Sequence, residues 1–425
     1  MRVLIIGAGL GGLCLAHGLR RAGLDVQVFE RRPSPHDQPA SYGIHLNADG
    51  LRALHACLPA ESWQQLVRDA RPARDIVRFS DARLRTLATH DRETPENASD
   101  PITRRRAVSR DALRDALLRG LNLETRSDFD VLQWGKEFVS YELGASGAVE
   151  VRFSDGSSTL GDLLIGADGS KSKLRRQRLP SLDRVDLNVL SIAGRAPMTP
   201  VIEGQLPGWL IDGSINNVVP KGRGWLFVST WQVPDAGQSI VWAWAAARRS
   251  YASDVDQWSP SALRDHVLGC LQGWAPGLSH LVSSTPANTV ARVPLRTMPH
   301  LTPWTPSAVT LLGDAIHNMT PMAGVGANTA LRDADELRRA LLRSSPGQEQ
   351  SLVSRVHVYE QRMRVYANDA LAQSTRNALN AATEAPLSRA LFRALLGLGT
   401  ALPAVQPLIF GAEAAAPRTA SVAGT

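Results

Sequence analysis

The sequence predicts an α/β fold with a second, sheet-rich domain and a helical C-terminal segment, and three observations predict it. Residues 3–6 are an apolar run that closes on glycine, residues 13–22 have helical spacing, and residues 26–29 are a second apolar run, which together read as strand, helix, strand. The middle of the chain changes to short runs that alternate with period two. After residue 309 a strand, a glycine turn and a helix return.

Each element can be justified in chain order. Gly7-Ala8-Gly9-Leu10-Gly11-Gly12 fits G-x-G-x-x-G between the first strand and the first helix, the context that gives this pattern its meaning. Gly7 permits the tight turn, Gly9 lets backbone approach a pyrophosphate, and Gly12 allows close helix packing, while the helix N-terminus supplies N–H donors and Gly11 counts with the other three as cofactor-binding. The next strand ends at Glu30, whose carboxylate can accept hydrogen bonds from an adenosine ribose. The start is therefore a Rossmann-like dinucleotide site, and the apolar N-terminal run reads as a buried strand and not as a signal peptide. The segment 91–103 is polar and proline-bearing and reads as a loop. Residues 138–143 and 149–153, with a turn at Asp155-Gly156, read as an antiparallel meander ahead of a strand at 163–165. Strands at 224–230 and 239–245 and a helix at 261–271 belong to the sheet-rich domain. The expected division is a discontinuous cofactor domain of residues 1–72, 101–182 and 301–345, a substrate domain of 73–100 and 183–300, and C-terminal helices over 346–425. With 425 residues the chain exceeds the roughly 250–300 at which one core stops growing, so two domains are expected.

Composition narrows the function classes. The net charge is +7 and the pI about 9.7, but the arginines are dispersed in short groups such as Arg104-Arg105-Arg106, with no aromatic-interleaved stripe, so no nucleic-acid partner is expected. Cys14, Cys57 and Cys270 fit no metal spacing and read as buried thiols, consistent with a cytoplasmic protein that holds no metal. No uninterrupted apolar stretch is long enough for a transmembrane span. The apolar stretch 391–410 is broken by Arg393, Pro403 and Pro407 and reads as a docked helix or a dimer contact ahead of an interfacial membrane anchor, and the chain is expected to be a monomer or a homodimer.

The most specific signal lies downstream. Leu312-Gly313-Asp314-Ala315-Ile316-His317-Asn318-Met319-Thr320-Pro321 runs into Met322-Ala323-Gly324-Val325-Gly326-Ala327-Asn328, with Asp333 further along a helix. A strand ends at Gly313, Asp314 can accept from sugar-alcohol hydroxyls, and the small residues 323–327 let a helix N-terminus approach a flat ring. Donors aimed there stabilise negative charge on a reduced isoalloxazine. These residues distinguish FAD from NAD as the tightly held dinucleotide.

At these positions the sequence resembles the group A flavoprotein aromatic hydroxylases, single-component FAD monooxygenases that include salicylate-type hydroxylases and tetracycline-inactivating oxygenases. Glu30-Arg31, Val108-Ser109-Arg110 with Leu113 and Leu117, Gly166-Ala167-Asp168-Gly169-Ser170 with Ser172 and Arg175, and Tyr359-Glu360-Gln361-Arg362 match in the family's order. The resemblance implies that Glu30 and Arg31 bind the adenosine ribose side of FAD and that Arg110 reaches the pyrophosphate or ribityl. It implies that Gly313 and Asp314 hold the ribityl and pyrophosphate region, and that Pro321, Gly324, Val325, Gly326, Ala327 and Asn328 line the flavin ring. Asp168 is tied in the family to FAD and NAD(P)H use, and a cap for the following helix is its other reading. The implied reaction takes NADH or NADPH and O2 and hydroxylates an aromatic or polycyclic small molecule through a C4a-hydroperoxyflavin, with no side-chain catalyst identified.

Some positions depart from the pattern. Position 316 is Ile where Ala is frequent, and the family's Gly-x-x-Leu-x-x-Asn stretch appears as Tyr42-Gly43-Ile44-His45-Leu46-Asn47-Ala48-Asp49-Gly50. His45 faces either the substrate or its own neighbours, and His317 reads as support for its loop ahead of a catalytic base. Trp242-Ala243-Trp244 is similar to the Trp-x-Trp-x-Ile-Pro of flavin-dependent halogenases, but Ala246-Ala247 replaces Ile-Pro and no lysine precedes Lys136. The alternating tryptophans read as one face of a strand; these, or Trp209, Trp225 and Trp231, either wall a flat pocket or pack a core. A flavin oxidase, an epoxidase or a flavin-dependent ligand-binding protein without turnover are the alternatives.

Overall fold

The computed structural model describes residues 1–35, 43–91, 99–122, 131–145, 147–233, 237–343 and 351–401. The apolar run at the N-terminus is the middle strand, Arg2–Ile6, of a five-stranded parallel sheet. Its neighbours are Leu163–Gly166 on one side and Asp25–Glu30 on the other, with Val309–Leu311 and Leu132–Trp134 at the edges. Val3, Leu4 and Ile5 have no solvent exposure, as a strand covered on both faces requires. Helix Leu10–Arg21 runs back from the glycine turn, and helix Gly326–Leu342 packs beside it. Strands Phe138–Leu143, Val149–Phe153 and Ser158–Gly161 form the expected antiparallel meander.

A mixed seven-stranded sheet forms the second layer. Its order is Ala291–Thr297, Val185–Pro197, Gly237–Ala247, Trp225–Val233, Ile215–Val218, Ile76–Ser80 and Thr86–Asp91. Every pairing is antiparallel except that of Ile215–Val218 with Ile76–Ser80. Period-two alternation sends Leu190, Ile192, Leu226, Val228, Ile240, Trp242 and Trp244 to one face, where they form a core with Leu263 and Val267 of helix Pro260–Cys270 and Leu278 and Leu281 of helix Pro276–Ser283. Helix Pro260–Cys270 starts where the sequence signals it, with Pro260 in its first turn and the Ser259 hydroxyl accepting from Ala262 N at 3.2 Å.

Helix Leu352–Ala382, capped by Ser351, spans both layers: Val356, Tyr359 and Met363 enter the core of the parallel sheet, while Ala378 and Ala381 pack on the mixed sheet. Helix Pro386–Ala401 then docks through Phe392 and Leu396 against Phe79 and Trp225, and Arg393 donates to the Val219 carbonyl. The apolar stretch begun at 391 is thus a docked helix as far as it is described; residues 402–410 and the alanine-rich tail lie outside the described residues, as do Tyr42 and residues 92–98 of the expected loop. Cys14 and Cys57 are buried and Cys270 half-buried, and all three are free thiols. No helix among the described residues is long and apolar enough to cross a membrane.

Candidate active site

Gly7 has φ +107° and its N–H donates to Phe29 O at 2.7 Å; a Cβ there would stand 2.4 Å from the Ala167 carbonyl oxygen, so only glycine fits. Gly11 packs against Leu312 and the backbone of Ala330, and this lack of a side chain brings helix Leu10–Arg21 against helix Gly326–Leu342. Gly9 has only the Ala167 carbonyl within van der Waals range and lies on the open side of the turn. Glu30 is buried beneath: Oε2 accepts from Ala8 N at 2.9 Å and Oε1 from Arg32 N at 3.1 Å, so the carboxylate shapes the turn as well as ending the strand. Arg31 is exposed beside it.

The second turn is held by one carboxylate. Gly313, at φ +60°, ends strand Val309–Leu311 and opens the short helix Asp314–His317. Its N–H donates to Asp333 Oδ2 at 2.7 Å, the same oxygen lies 2.6 Å from His317 Nε2, and Tyr366 Oη donates to Oδ1 at 2.6 Å. Burial alone pulls the His317 imidazole down, but the charge and hydrogen bond of Asp333 outweigh it and hold the ring above its ordinary value. His317 therefore supports the loop. Asp314 is exposed at a cavity wall and has no hydrogen-bond or ion-pair partner among the described residues, while its charge adds to that of Asp333 in raising His317.

Arg175, buried, joins the two halves of this wall. Its Nη1 donates to Ser170 O at 3.3 Å and Ala315 O at 3.1 Å, tying the Asp168-Gly169-Ser170 segment to the turn at Asp314. Asp168 holds the start of the intervening helix, accepting at Oδ2 from Lys173 N and Leu174 N. Burial pushes this carboxyl upward against the opposing pull of its hydrogen bonds.

A single cavity of about 570 Å³ joins these parts. Its wall includes Gly9, Gly11, Gly12, Arg110, Gly313 and Asp314, then Pro321, Gly324, Gly326 and Ala327, and the free face of the mixed sheet. All seven strands of that sheet contribute to it: Val293, Ser191 and Ala193, Val241 and Ala243, Trp225 and Phe227, Ile215 and Asn217, Val77 and Phe79, and His90. Gly7, Glu30, Arg31, Asp168, Val325 and Asn328 do not line it. Asn328 sits behind the wall, accepting at Oδ1 from Asn47 N at 3.0 Å and donating from Nδ2 to His45 O at 2.9 Å, so it pins strand Gly43–Leu46 along the cavity edge. Val325 is the residue that precedes helix Gly326–Leu342 and packs on the core.

His45 does line the cavity. Its Nε2 lies 2.9 Å from Ser229 Oγ, and that hydroxyl donates to Ser214 O at 3.0 Å. The single hydroxyl proton is thus used, so Nε2 carries the donor hydrogen. Burial, with the nearby Arg105 charge, holds its pKa well below the ordinary value. Of the tryptophans, Trp225 walls the cavity, whereas Trp242 and Trp244 fill the core on the opposite face, with Trp242 Nε1 donating to Thr285 Oγ1 at 2.8 Å. Trp231 covers Gly43, and Trp209 lies under the Arg78 guanidinium at 5.6 Å. Sequence reasoning missed Asn217, His90, Gln373 and Arg376 at this cavity; only the alternation of the strands signalled the first two, and nothing local signalled the others.

The residues present fit FAD. The cavity is lined by two glycine turns and a helix N-terminus, carries Arg110 and Asp314 beside those turns with no hydrogen-bond or ion-pair partner among the described residues, and is bordered by the small residues Ala323, Gly324, Gly326 and Ala327 and by an apolar sheet face.

Known proteins agree. A Photorhabdus luminescens protein assigned as an FAD-containing monooxygenase is 42% identical, with a TM-score of 0.81 over 90% of this chain and 98% of that one. The dual O-methyltransferase/FAD-dependent monooxygenase elcB of Phaeosphaeria nodorum is 28% identical over 397 residues, and the chloroplastic zeaxanthin epoxidase of Nicotiana plumbaginifolia 28% identical over 422. The alignments take in 83% and 94% of this chain, which spans only 42% and 57% of the length of those two relatives. The family described as FAD binding domain matches residues 1–374, and with that match over most of its length the chain belongs to the FAD-binding flavoprotein monooxygenases.

Proposed function

We propose that the protein is an FAD-dependent monooxygenase that uses NADH or NADPH and O2 to hydroxylate a flat aromatic or polycyclic small molecule. The observation that carries this reading is the continuity of the cavity from the glycine turn at Gly9 to the apolar sheet face at Phe79, Trp225 and Phe227, which supports a flavin ring and a substrate meeting near Pro321 and Gly324. When bound, FAD supplies the oxygen activation, taking electrons from the nicotinamide cofactor and passing one atom of O2 to the substrate.

The chain's own residues bind, orient and exclude water. The open glycine turn and the first N–H groups of helix Leu10–Arg21 receive the pyrophosphate, with Arg110 as the facing cation. Asp314 would accept from ribityl hydroxyls, and the N-terminus of helix Gly326–Leu342, which no side chain caps, would supply N–H donors to the flavin ring. The sheet face keeps water from the reacting carbon. No side chain is needed as nucleophile or metal ligand for such a reaction, and no group of side chains able to hold a metal occurs among the described residues.

Purified protein is expected to be yellow, Asp314→Ala to lose most of its FAD, and an aromatic substrate to raise NAD(P)H consumption with one 18O from 18O2 in the product. Normal FAD content in Asp314→Ala would refute the site assignment. An epoxidase is the second reading, favoured by the 28% identity to zeaxanthin epoxidase and by the apolar sheet face; an oxirane in the labelled product separates it from a hydroxylase.

A further inference from the structure

Among the residues of the mixed sheet that face the cavity, Asn217 differs from its surroundings. It lies in strand Ile215–Val218, paired with Phe227 on one side and Phe79 on the other, so an amide is set between two aromatic side chains in the middle of the sheet. Its orientation is fixed by a neighbour. Trp225 Nε1 lies 2.9 Å from Asn217 Oδ1, and because an indole N–H can only donate, the carbonyl end of the amide must face Trp225. The NH2 end is then the free one. Nδ2 has no partner among the described residues and is not one of the buried atoms lacking a partner, so its two donors remain open to the cavity.

We infer that Asn217 is a specificity-determining residue that donates a hydrogen bond to a carbonyl or phenolate oxygen of the substrate, which makes the substrate a flat apolar molecule with such an acceptor. The inference rests on the cavity being the substrate site. A donor held on an apolar surface discriminates strongly, because a ligand without an acceptor leaves desolvated N–H groups unpaired. The same amide would reject nothing if it could turn over, and Trp225 prevents that turn.

Two probes of similar size test it: chromone, which is flat and carries one carbonyl acceptor, and naphthalene, which has none. Binding is followed by quenching of tryptophan fluorescence in the FAD-loaded full chain. Asn217→Asp keeps the oxygen that accepts from Trp225 but removes the donors at pH 8, and Asn217→Leu removes both. Chromone is expected to bind the wild type at least tenfold more tightly than naphthalene, and both variants are expected to lose that preference while holding naphthalene within about twofold of wild type. A role confined to supporting Trp225 would be spared in Asn217→Asp, so unchanged chromone binding in that variant overturns the inference, as does a wild type that shows no preference. A colourless protein that retains the preference supports the subsite and counts against the flavin reading, so the two failures are distinct.

Discussion

Nε2 of His317 lies 2.6 Å from Oδ2 of Asp333, with neither side chain exposed to solvent, and the same oxygen receives the N–H of Gly313. One buried carboxylate therefore sets the geometry of the turn that presents Asp314. Removing a partner from a buried pair leaves an uncompensated charge or polar group and costs about 3–5 kcal/mol. Asp333→Asn is expected to lose stability on that scale and to weaken FAD binding although Asp333 does not line the cavity; chemical denaturation and FAD titration of the apoprotein check both.

Two histidines are expected to give pH dependences of opposite sign. His317 is held above its ordinary value, so the stability it contributes is complete below about pH 6.5 and is lost as pH rises through its folded pKa. His45 is held well below, so its contribution is complete above about pH 6.5 and is lost as pH falls towards its folded pKa. Thermal melts from pH 5 to 9 should show a flatter alkaline limb in His317→Gln and a flatter acid limb in His45→Gln. Slopes identical to wild type in both variants would contradict these assignments.

The backbone at Gly43 lies against an indole ring: a Cβ added there would stand 2.2 Å from Cδ2 of Trp231. Gly43→Ala must displace the ring or strand Gly43–Leu46, and overpacking of this kind costs about 1–3 kcal/mol. A lowered denaturation midpoint with a shift in tryptophan emission is the expected result. Unchanged values would mean that the strand does not sit on Trp231.

Phe392 of the C-terminal helix packs 5.7 Å from the ring of Trp225 and 6.4 Å from that of Phe79, both cavity residues. A fully buried Phe→Ala change costs about 3–5 kcal/mol. Phe392 is half-buried, so about 2 kcal/mol is expected for Phe392→Ala. Urea titration checks the loss, and wild-type stability would mean the helix does not dock as described.

Much of the cofactor end was legible because its geometry is local. Gly7 to Gly12 and Gly313-Asp314 are contiguous, and the demand for positive φ or for close backbone approach is written in the glycines themselves. The contacts of Asn328 were not legible: the resemblance implies ring contact, and its amide bonds to backbone at positions 45 and 47, far away in the chain. The substrate end was least legible. Period two in residues 241–244 establishes that Val241 and Ala243 oppose Trp242 and Trp244, but either pair could have faced the cavity. Which face is covered depends on helices Pro260–Cys270 and Pro276–Ser283, long-range neighbours that no local pattern announces.

The alternation of the mixed sheet has an evolutionary consequence. Its cavity side and its packed side use different residues of the same strands, so changes at Ala193, Ala243 or Ile215 can reshape the ligand bed while Ile192, Trp242 and Val228 go on stabilising the fold. Selection can thus retune chemical preference by single substitutions on one side without eroding foldability on the other.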